Sequence, residues 1–196
     1  MNPKKLALIV STVALLLIAL IAVISANSNN TNISSFSIGN GQGPSIGSLA
    51  PNFNLPIVDY QNSPEKDGRV SLQSLKGEPV ILNFFASWCT ECRTELPLLA
   101  NAAKREEGKI SIIGIDSGDS LNSAISLLNQ DRANFLVGSD PNQEVSGSLY
   151  NLRGLPYSIF ISKSGEITAK YLGALTLSQL SMEIIKMGGV PLKPQS

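Results

Sequence analysis

Histidine is absent from this chain of 196 residues, and cysteine occurs only at Cys89 and Cys92. Without imidazole the chain has no histidine general base, no cysteine–histidine nucleophile pair and no histidine metal ligand. A structural zinc site needs four ligands, and two thiols alone do not complete one. We therefore expect no metal site within the chain.

Charge of either sign is scarce as well. The 15 basic side chains balance the 15 acidic ones, so the formal net charge is zero. Proteins that bind nucleic acid or anionic lipid through electrostatics carry a positive excess on one surface. The composition gives no support for a nucleic-acid partner, whereas its 43% hydrophobic content is that of a globular protein.

The N-terminus carries a long apolar run. Lys4 and Lys5 precede residues 6–24, which contain no charged side chain. As a helix this run measures roughly 28 Å, about the thickness of a bilayer's hydrocarbon core. The two lysines predict a cytoplasmic N-terminus with the remainder outside the cytoplasm. We favour a single-pass anchor in the cell membrane over the alternative, a signal peptide cleaved after Ala26.

The rest of the chain divides by composition. Residues 1–24 are predicted to form a short cytoplasmic segment and the anchor, and residues 25–48, rich in Asn, Ser and Gly, a flexible linker. A folded domain is predicted over residues 49–190, followed by a short C-terminal tail at 191–196. An anchored, tethered domain of this kind would work outside the cytoplasm.

Strands and helices alternate in the predicted domain. In chain order we expect a buried strand at 80–86, a helix at 92–107, a strand at 109–115, a helix at 120–129, a strand at 134–137, a helix opened by Asp140 or Pro141, a hairpin at 155–173 and a helix at 176–187. This order predicts an α/β fold with parallel first strands and an antiparallel final hairpin.

The two cysteines allow a redox couple or a purely structural bridge. A bridge across two residues removes little entropy from the unfolded chain, so it stabilises a fold weakly. The redox hypothesis has a positive reason, because Cys89 follows a buried strand and begins a helix. Unpaired N–H groups and the helix dipole favour the Cys89 thiolate there, while Cys92, one turn on, is shielded.

Two segments carry a resemblance. "VILNFFASWCTECRTELP" and, far downstream, "LRGLPYSIFISKSGEI" resemble the thioredoxin-fold, membrane-anchored, extracytoplasmic thiol–disulfide oxidoreductases of the TlpA/ResA/CcmG type. The resemblance extends from about Leu49 to Met187. It implies a thioredoxin-like fold with a central mixed sheet, and a redox-active Cys89–Cys92 disulfide in place of any cofactor.

The resemblance also implies functions for single residues. Cys89 matches the attacking nucleophile and Cys92 the resolving cysteine. Pro156 matches the family's cis-proline, and the preceding Leu155 offers its backbone to an extended substrate. Trp88 is the apolar neighbour of the disulfide and, together with Leu155 and Pro156, is assigned to substrate binding.

Four further positions match or depart from the family's pattern. Pro97 matches the proline that kinks the active-site helix, and Asn83 stands where thioredoxin has a buried aspartate. Tyr157 and Ser158 replace a Thr-Thr pair that is common after the cis-proline. We expect these last two departures to affect the substrate-facing surface.

Glu95 is the third predicted catalytic residue. It lies three residues after Cys92, so both can share one face of the helix near the disulfide. A carboxyl in a site of low dielectric has a raised pKa and can exchange a proton with Cys92. The alternative is a solvated glutamate paired with Lys or Arg.

The direction of electron flow is predicted from Glu91 and from the resemblance. A negative charge near Cys89 disfavours its thiolate, and a less stabilised thiolate gives a more reducing couple. By analogy the substrates are disulfides of exported proteins, including apocytochrome c, and the electron donor is a membrane thiol carrier. The alternatives are an oxidase that forms disulfides, a redox-inert peptide-binding module and, more remotely, a peroxide reductase.

Overall fold

A computed structural model of the protein describes residues 43–193, which contain seven strands and three α-helices. The strands are β1 (Asn54–Pro56), β2 (Arg69–Ser71), β3 (Val80–Phe85), β4 (Ser111–Ser117), β5 (Leu136–Asp140), β6 (Tyr157–Ile161) and β7 (Ile167–Leu172). The helices are α1 (Thr90–Arg105), α2 (Leu121–Gln130) and α3 (Leu177–Lys186). A 3₁₀ turn, Leu72–Leu75, follows β2, and a π-helical segment, Glu144–Leu149, follows β5.

Five strands form one mixed sheet in the order β5-β4-β3-β6-β7. Strand β3 is parallel to β4, β4 is parallel to β5, and β6 pairs antiparallel with both β3 and β7. The predicted thioredoxin-like α/β arrangement is confirmed. Strands β1 and β2 form a separate antiparallel pair that the sequence analysis missed, because three residues are too few to show an alternating pattern.

Strand β3 lies at the centre because its sequence, "VILNFF", has apolar side chains on both faces. All six of its residues are buried. Ile81 and Phe85 pack on the face covered by the three helices, whereas Leu82 and Phe84 face the β1–β2 pair and the π-helical segment. A strand covered on both faces is held rigidly, so the chain that leaves its end at Phe85 starts from a fixed position.

Side-chain caps determine where the helices begin. Helix α1 starts at Thr90, earlier than predicted, since Cys89 occupies the N-cap position. Thr176 caps α3 in a capping box with Gln179. The predicted helix from Asp140 or Pro141 is wrong: Asp140 ends β5, and its carboxylate accepts the N–H groups that open the π-helical segment.

Both ends of the described part of the chain, residues 43–193, contact the folded domain. Gly47 N donates to Ile167 O at 2.8 Å, and Lys170 Nζ donates to Pro44 O at 2.7 Å. Leu192, in the predicted tail, is buried. Within residues 43–193 no helix has both the length and the apolar character needed to cross a bilayer. The predicted anchor at 6–24, and most of the predicted linker, lie outside the described residues.

Candidate active site

A disulfide joins Cys89 and Cys92 at the N-terminus of α1 (S–S 2.05 Å). The Cys89 sulfur also accepts the backbone N–H of Cys92 at 3.2 Å, so it caps the helix. The free N–H groups and positive dipole end of α1 therefore lie at Cys89, as the sequence predicts. Cys89 keeps 6% of its surface exposed and Cys92 none, so a partner can reach only Cys89 of the two.

Residues 86–88 connect the end of β3 to this helix. The turn closes through Cys89 N, which donates to Ala86 O at 3.1 Å. Trp88, beside the disulfide, is 62% exposed, and its Nε1 donates to Gly118 O at 3.3 Å. An indole held by its nitrogen with its ring in solvent is suited to contact a bound partner.

Pro156 lies at the same edge of the sheet as the cysteines. Phe84 pairs with Tyr157 in the antiparallel register, which places Pro156 opposite Phe85, the last residue of β3. The Leu155–Pro156 peptide bond is cis, as predicted. No hydrogen bond within residues 43–193 engages the backbone of Leu155, so its N–H and C=O are available to an extended chain.

Glu95 is buried one turn after Cys92, with 1% of its surface exposed. Its Oε2 accepts from Asn83 Nδ2 at 2.9 Å, and its Oε1 accepts from the backbone N–H of Leu175 at 3.0 Å. Burial raises the pKa of Glu95, and these hydrogen bonds oppose part of that rise. The alternative of a solvated, ion-paired glutamate is wrong.

Comparison with known proteins agrees with this geometry. Residues 46–170 match the AhpC/TSA family. The chain belongs to that family. It is 31% identical over 147 residues to the thiol-disulfide oxidoreductase ResA of Bacillus subtilis strain 168, covering 74% of this chain and 78% of ResA. It is 31% identical over 130 residues to the thiol:disulfide interchange protein DsbE of Pseudomonas fluorescens biotype C, covering 66% and 68%.

A solved structure shows the same likeness. The crystal structure of a candidate DsbE from Chlorobium tepidum has a TM-score of 0.65 and 27% identity, and covers 74% of this chain and 99% of its own. The ResA- and DsbE-like members of the AhpC/TSA family are thus its relatives. The predictions of a thioredoxin-like fold and of an oxidoreductase are confirmed.

Two hydrogen bonds around the buried carboxyl of this AhpC/TSA family member were not predicted from the sequence. Leu175 follows β7 and is 80 residues from Glu95, so no local pattern indicated their contact. Ser158 was expected at the substrate-facing surface, but it is fully buried, and its Oγ accepts from Asn83 Nδ2 at 2.9 Å. Asn83 therefore donates both to Glu95 and to Ser158.

Glu91 and Pro97 occupy the predicted positions on α1. Pro97 lies inside the helix. Glu91 is in the first turn with its side chain exposed, where water and salt screen its charge. Its electrostatic effect on Cys89 is therefore small.

Proposed function

We propose that the protein exchanges dithiols for disulfides outside the cytoplasm, and that it reduces disulfides of exported proteins. The observation that carries this proposal is the Cys89–Cys92 disulfide at a helix N-terminus, with one cysteine reachable and a buried carboxyl one turn away. Sequence similarity to ResA and DsbE proteins supports this proposal.

The exchange takes two steps with balanced electrons. In the reduced protein, the Cys89 thiolate attacks a partner's disulfide, forms a mixed disulfide and releases one partner thiolate, which takes up a proton. The Cys92 thiolate then attacks Cys89 and releases the second partner thiol. The partner gains two electrons and two protons, and the protein's dithiol becomes its disulfide.

In this proposal Glu95 exchanges a proton with Cys92. The second step needs Cys92 as a thiolate, although this residue is fully buried. A carboxylate whose pKa is raised by burial is a stronger base than an exposed one, so Glu95 can accept the Cys92 proton. In the reverse direction the protonated Glu95 returns it.

Trp88 and the Leu155–Pro156 segment form the binding surface in this proposal. The unbonded backbone of Leu155 suits an extended peptide, which adds hydrogen bonds like those of a strand. The exposed Trp88 ring adds apolar contact beside the reachable cysteine. The substrates we propose include the disulfide of apocytochrome c, whose thiols are needed for haem attachment, and the electrons would come from a membrane thiol carrier.

The reduction potential tests the direction of exchange. Equilibration of the full chain with glutathione or dithiothreitol should give a value near that of thioredoxin, about −270 mV, rather than that of strong oxidants, about −120 mV. A value at the oxidising end would make the protein a disulfide-forming catalyst. Cysteines inert to alkylation, together with no reduction of a model disulfide, would indicate a binding module.

Trapping tests the substrate. The variant Cys92→Ser retains the attacking thiol but cannot resolve the mixed disulfide, so it should accumulate covalent adducts in the native membrane fraction. Cys89→Ser is the matched control and should trap nothing. Adducts that lack exported proteins would contradict the proposed substrate class.

A further inference from the structure

A second buried carboxyl lies one strand away from the cysteine-bearing loop. Asp116 on β4 is fully buried, and neither of its carboxyl oxygens has a hydrogen-bond partner among residues 43–193. Its parallel pairing with Phe85 places it on the helix-covered face, beside the point where β3 ends. A buried carboxyl without a donor is costly, so its presence here calls for a physical account.

The loop after β4 connects this carboxyl to the loop before Cys89. Asp119 Oδ2 accepts the backbone N–H of Ser87, two residues ahead of Cys89. On the other side, the Arg93 guanidinium donates to Ser87 O from Nε at 3.2 Å and from Nη2 at 2.9 Å. Ser87 is thus held by a carboxylate at its N–H and by a guanidinium at its carbonyl.

The same two loops make a further contact through Trp88, whose indole donates to Gly118 O. The loop that carries Cys89 therefore has anchors from the β4–α2 loop at two consecutive residues. Charge-assisted hydrogen bonds such as those at Ser87 are among the strongest in proteins.

The charges around Asp116 determine how this arrangement responds to pH. Burial, then the proximity and negative charge of the Asp119 carboxylate, and last the negative charge of Asp140, raise the pKa of Asp116 to about 8. Arg93, from α1, is the cation at Ser87, and it also interacts with Asp131. Near neutral pH Asp116 is therefore protonated and neutral, which leaves Asp119 as the anion that binds Ser87.

We propose that Asp119 is a positioning residue for the Cys89–Cys92 centre, and that the charge of Asp116 decides whether Asp119 holds Ser87. While Asp116 is neutral, Asp119 stays on the Ser87 N–H and the turn before Cys89 is fixed. When Asp116 ionises, two like charges face each other in a poorly solvated site. The half-buried Asp119 then moves towards solvent, and Ser87 is released.

NMR of the oxidised full-length chain tests this without any exchange reaction. The disulfide leaves no cysteine thiol to titrate, so pH changes at the Ser87 amide report on the carboxyls. We expect the Ser87 amide proton to shift with a midpoint near pH 8. Asp116→Asn should abolish that titration, whereas Asp59→Asn, a change at an exposed ion pair, should leave it intact.

Exchange kinetics supply the second readout, which rests on the proposed reaction at Cys89. Asp119→Ala should slow reduction of the disulfide by dithiothreitol about tenfold near pH 6.5, relative to Asp59→Asn. The ratio of the Asp59→Asn rate to the Asp119→Ala rate should approach one near pH 9.5, because Asp119 in the control protein no longer binds Ser87 at that pH. Asp119→Asn, which keeps an acceptor oxygen, should recover most of the rate.

Two results would overturn the inference. One is a Ser87 amide that does not titrate, or that titrates equally in Asp116→Asn. The other is a rate ratio that stays the same at every pH, which would mean that Asp119 acts only on the general stability of the fold. Failure of the proposed exchange reaction itself would show separately, as an inactive wild type with a normally titrating Ser87 amide.

Discussion

Two of the buried carboxyls, Glu95 and Asp116, lie on the helix-covered face of the sheet, on opposite sides of β3, and they differ in their contacts. Glu95, towards β6, receives one N–H donor on each carboxyl oxygen, from Asn83 and from Leu175. Asp116, on β4, receives none from the described residues and has other carboxylates as neighbours. Both have raised pKa values, but for Glu95 the donors oppose the rise.

This difference separates two ways in which a buried acid can act. A carboxyl with fixed donors can release its proton and remain in place, which suits proton exchange with a neighbouring thiol. A carboxyl without donors can ionise only if its surroundings move, which suits a group that alters the position of a loop.

Removal of the Glu95 carboxyl should have the largest effect. Glu95→Ala leaves the backbone N–H of Leu175 and one N–H of the Asn83 amide buried without an acceptor, at a cost of roughly 2–4 kcal/mol in unfolding free energy. Urea unfolding of the oxidised protein at neutral pH measures it. Glu107→Ala, an exposed change just beyond α1, is the control and should stay within about 0.5 kcal/mol of wild type. Equal losses in both variants would mean that the donors of Glu95 find other partners.

Asp116→Asn should act in the opposite direction and depend on pH. The folded protein binds the Asp116 proton more tightly than the unfolded chain, so its contribution to stability is complete below the unfolded pKa of 3.8 and is lost as pH rises through about 8. An asparagine side chain does not ionise, so the variant does not lose stability as pH rises through this range. It should match wild type near pH 4 and be more stable by roughly 1–3 kcal/mol near pH 9.

Chemical unfolding across pH measures this difference, with Asp59→Asn as the control for loss of one exposed carboxylate. A constant difference between Asp116→Asn and wild type at all pH values would contradict the assignment of Asp116 as a proton-binding group.

Glu95→Gln should affect chemistry more than stability, because the amide keeps an acceptor oxygen. Without the exchangeable proton of Glu95, exchange should slow by about tenfold or more and the cysteine pKa values should shift. The pH dependence of alkylation and the rate of reduction of a model disulfide measure these effects. Thiol titration and rates equal to those of Glu107→Gln would make Glu95 a purely structural residue.

Ser158→Ala should have the smallest effect. It removes one acceptor of Asn83 but leaves the bond from Asn83 to Glu95, so we expect a loss of about 1 kcal/mol and little change in exchange rate. Urea unfolding measures it, against Ser178→Ala on the exposed side of α3. A loss as large as that of Glu95→Ala would show that Ser158, rather than the carboxyl, holds Asn83.

Much of the fold was predictable because its central elements have strong patterns. The continuous apolar run of β3 and the helical stretch of α1 were recognised. The β1–β2 pair and the π-helical segment after Asp140 were not recognised. Both are short: β1 and β2 pair residues that are far apart in the chain, and the π-helical segment is opened by the Asp140 carboxylate rather than marked by a periodic apolar pattern.

The residues of the candidate site also differ in whether the sequence alone indicates them. Cys89 and Cys92 are marked by their spacing, Glu95 by one helical turn, and Pro156 by its resemblance to a family motif. The partner of Ser87 is 32 residues away at Asp119, and no periodicity relates two loops that meet only at a sheet edge.

The sequence by itself determined the chemistry: two cysteines and no histidine allow thiol–disulfide exchange, and a buried strand before them places Cys89 at a helix N-terminus. Only the tertiary structure decided the surroundings of the buried acids. The pKa of a carboxyl depends on the donors and charges within a few ångströms, and here β3, β5, the loop after β4 and the segment after β7 supply them. Their proximity follows from strand order in the sheet, which pairs residues that are far apart in the chain.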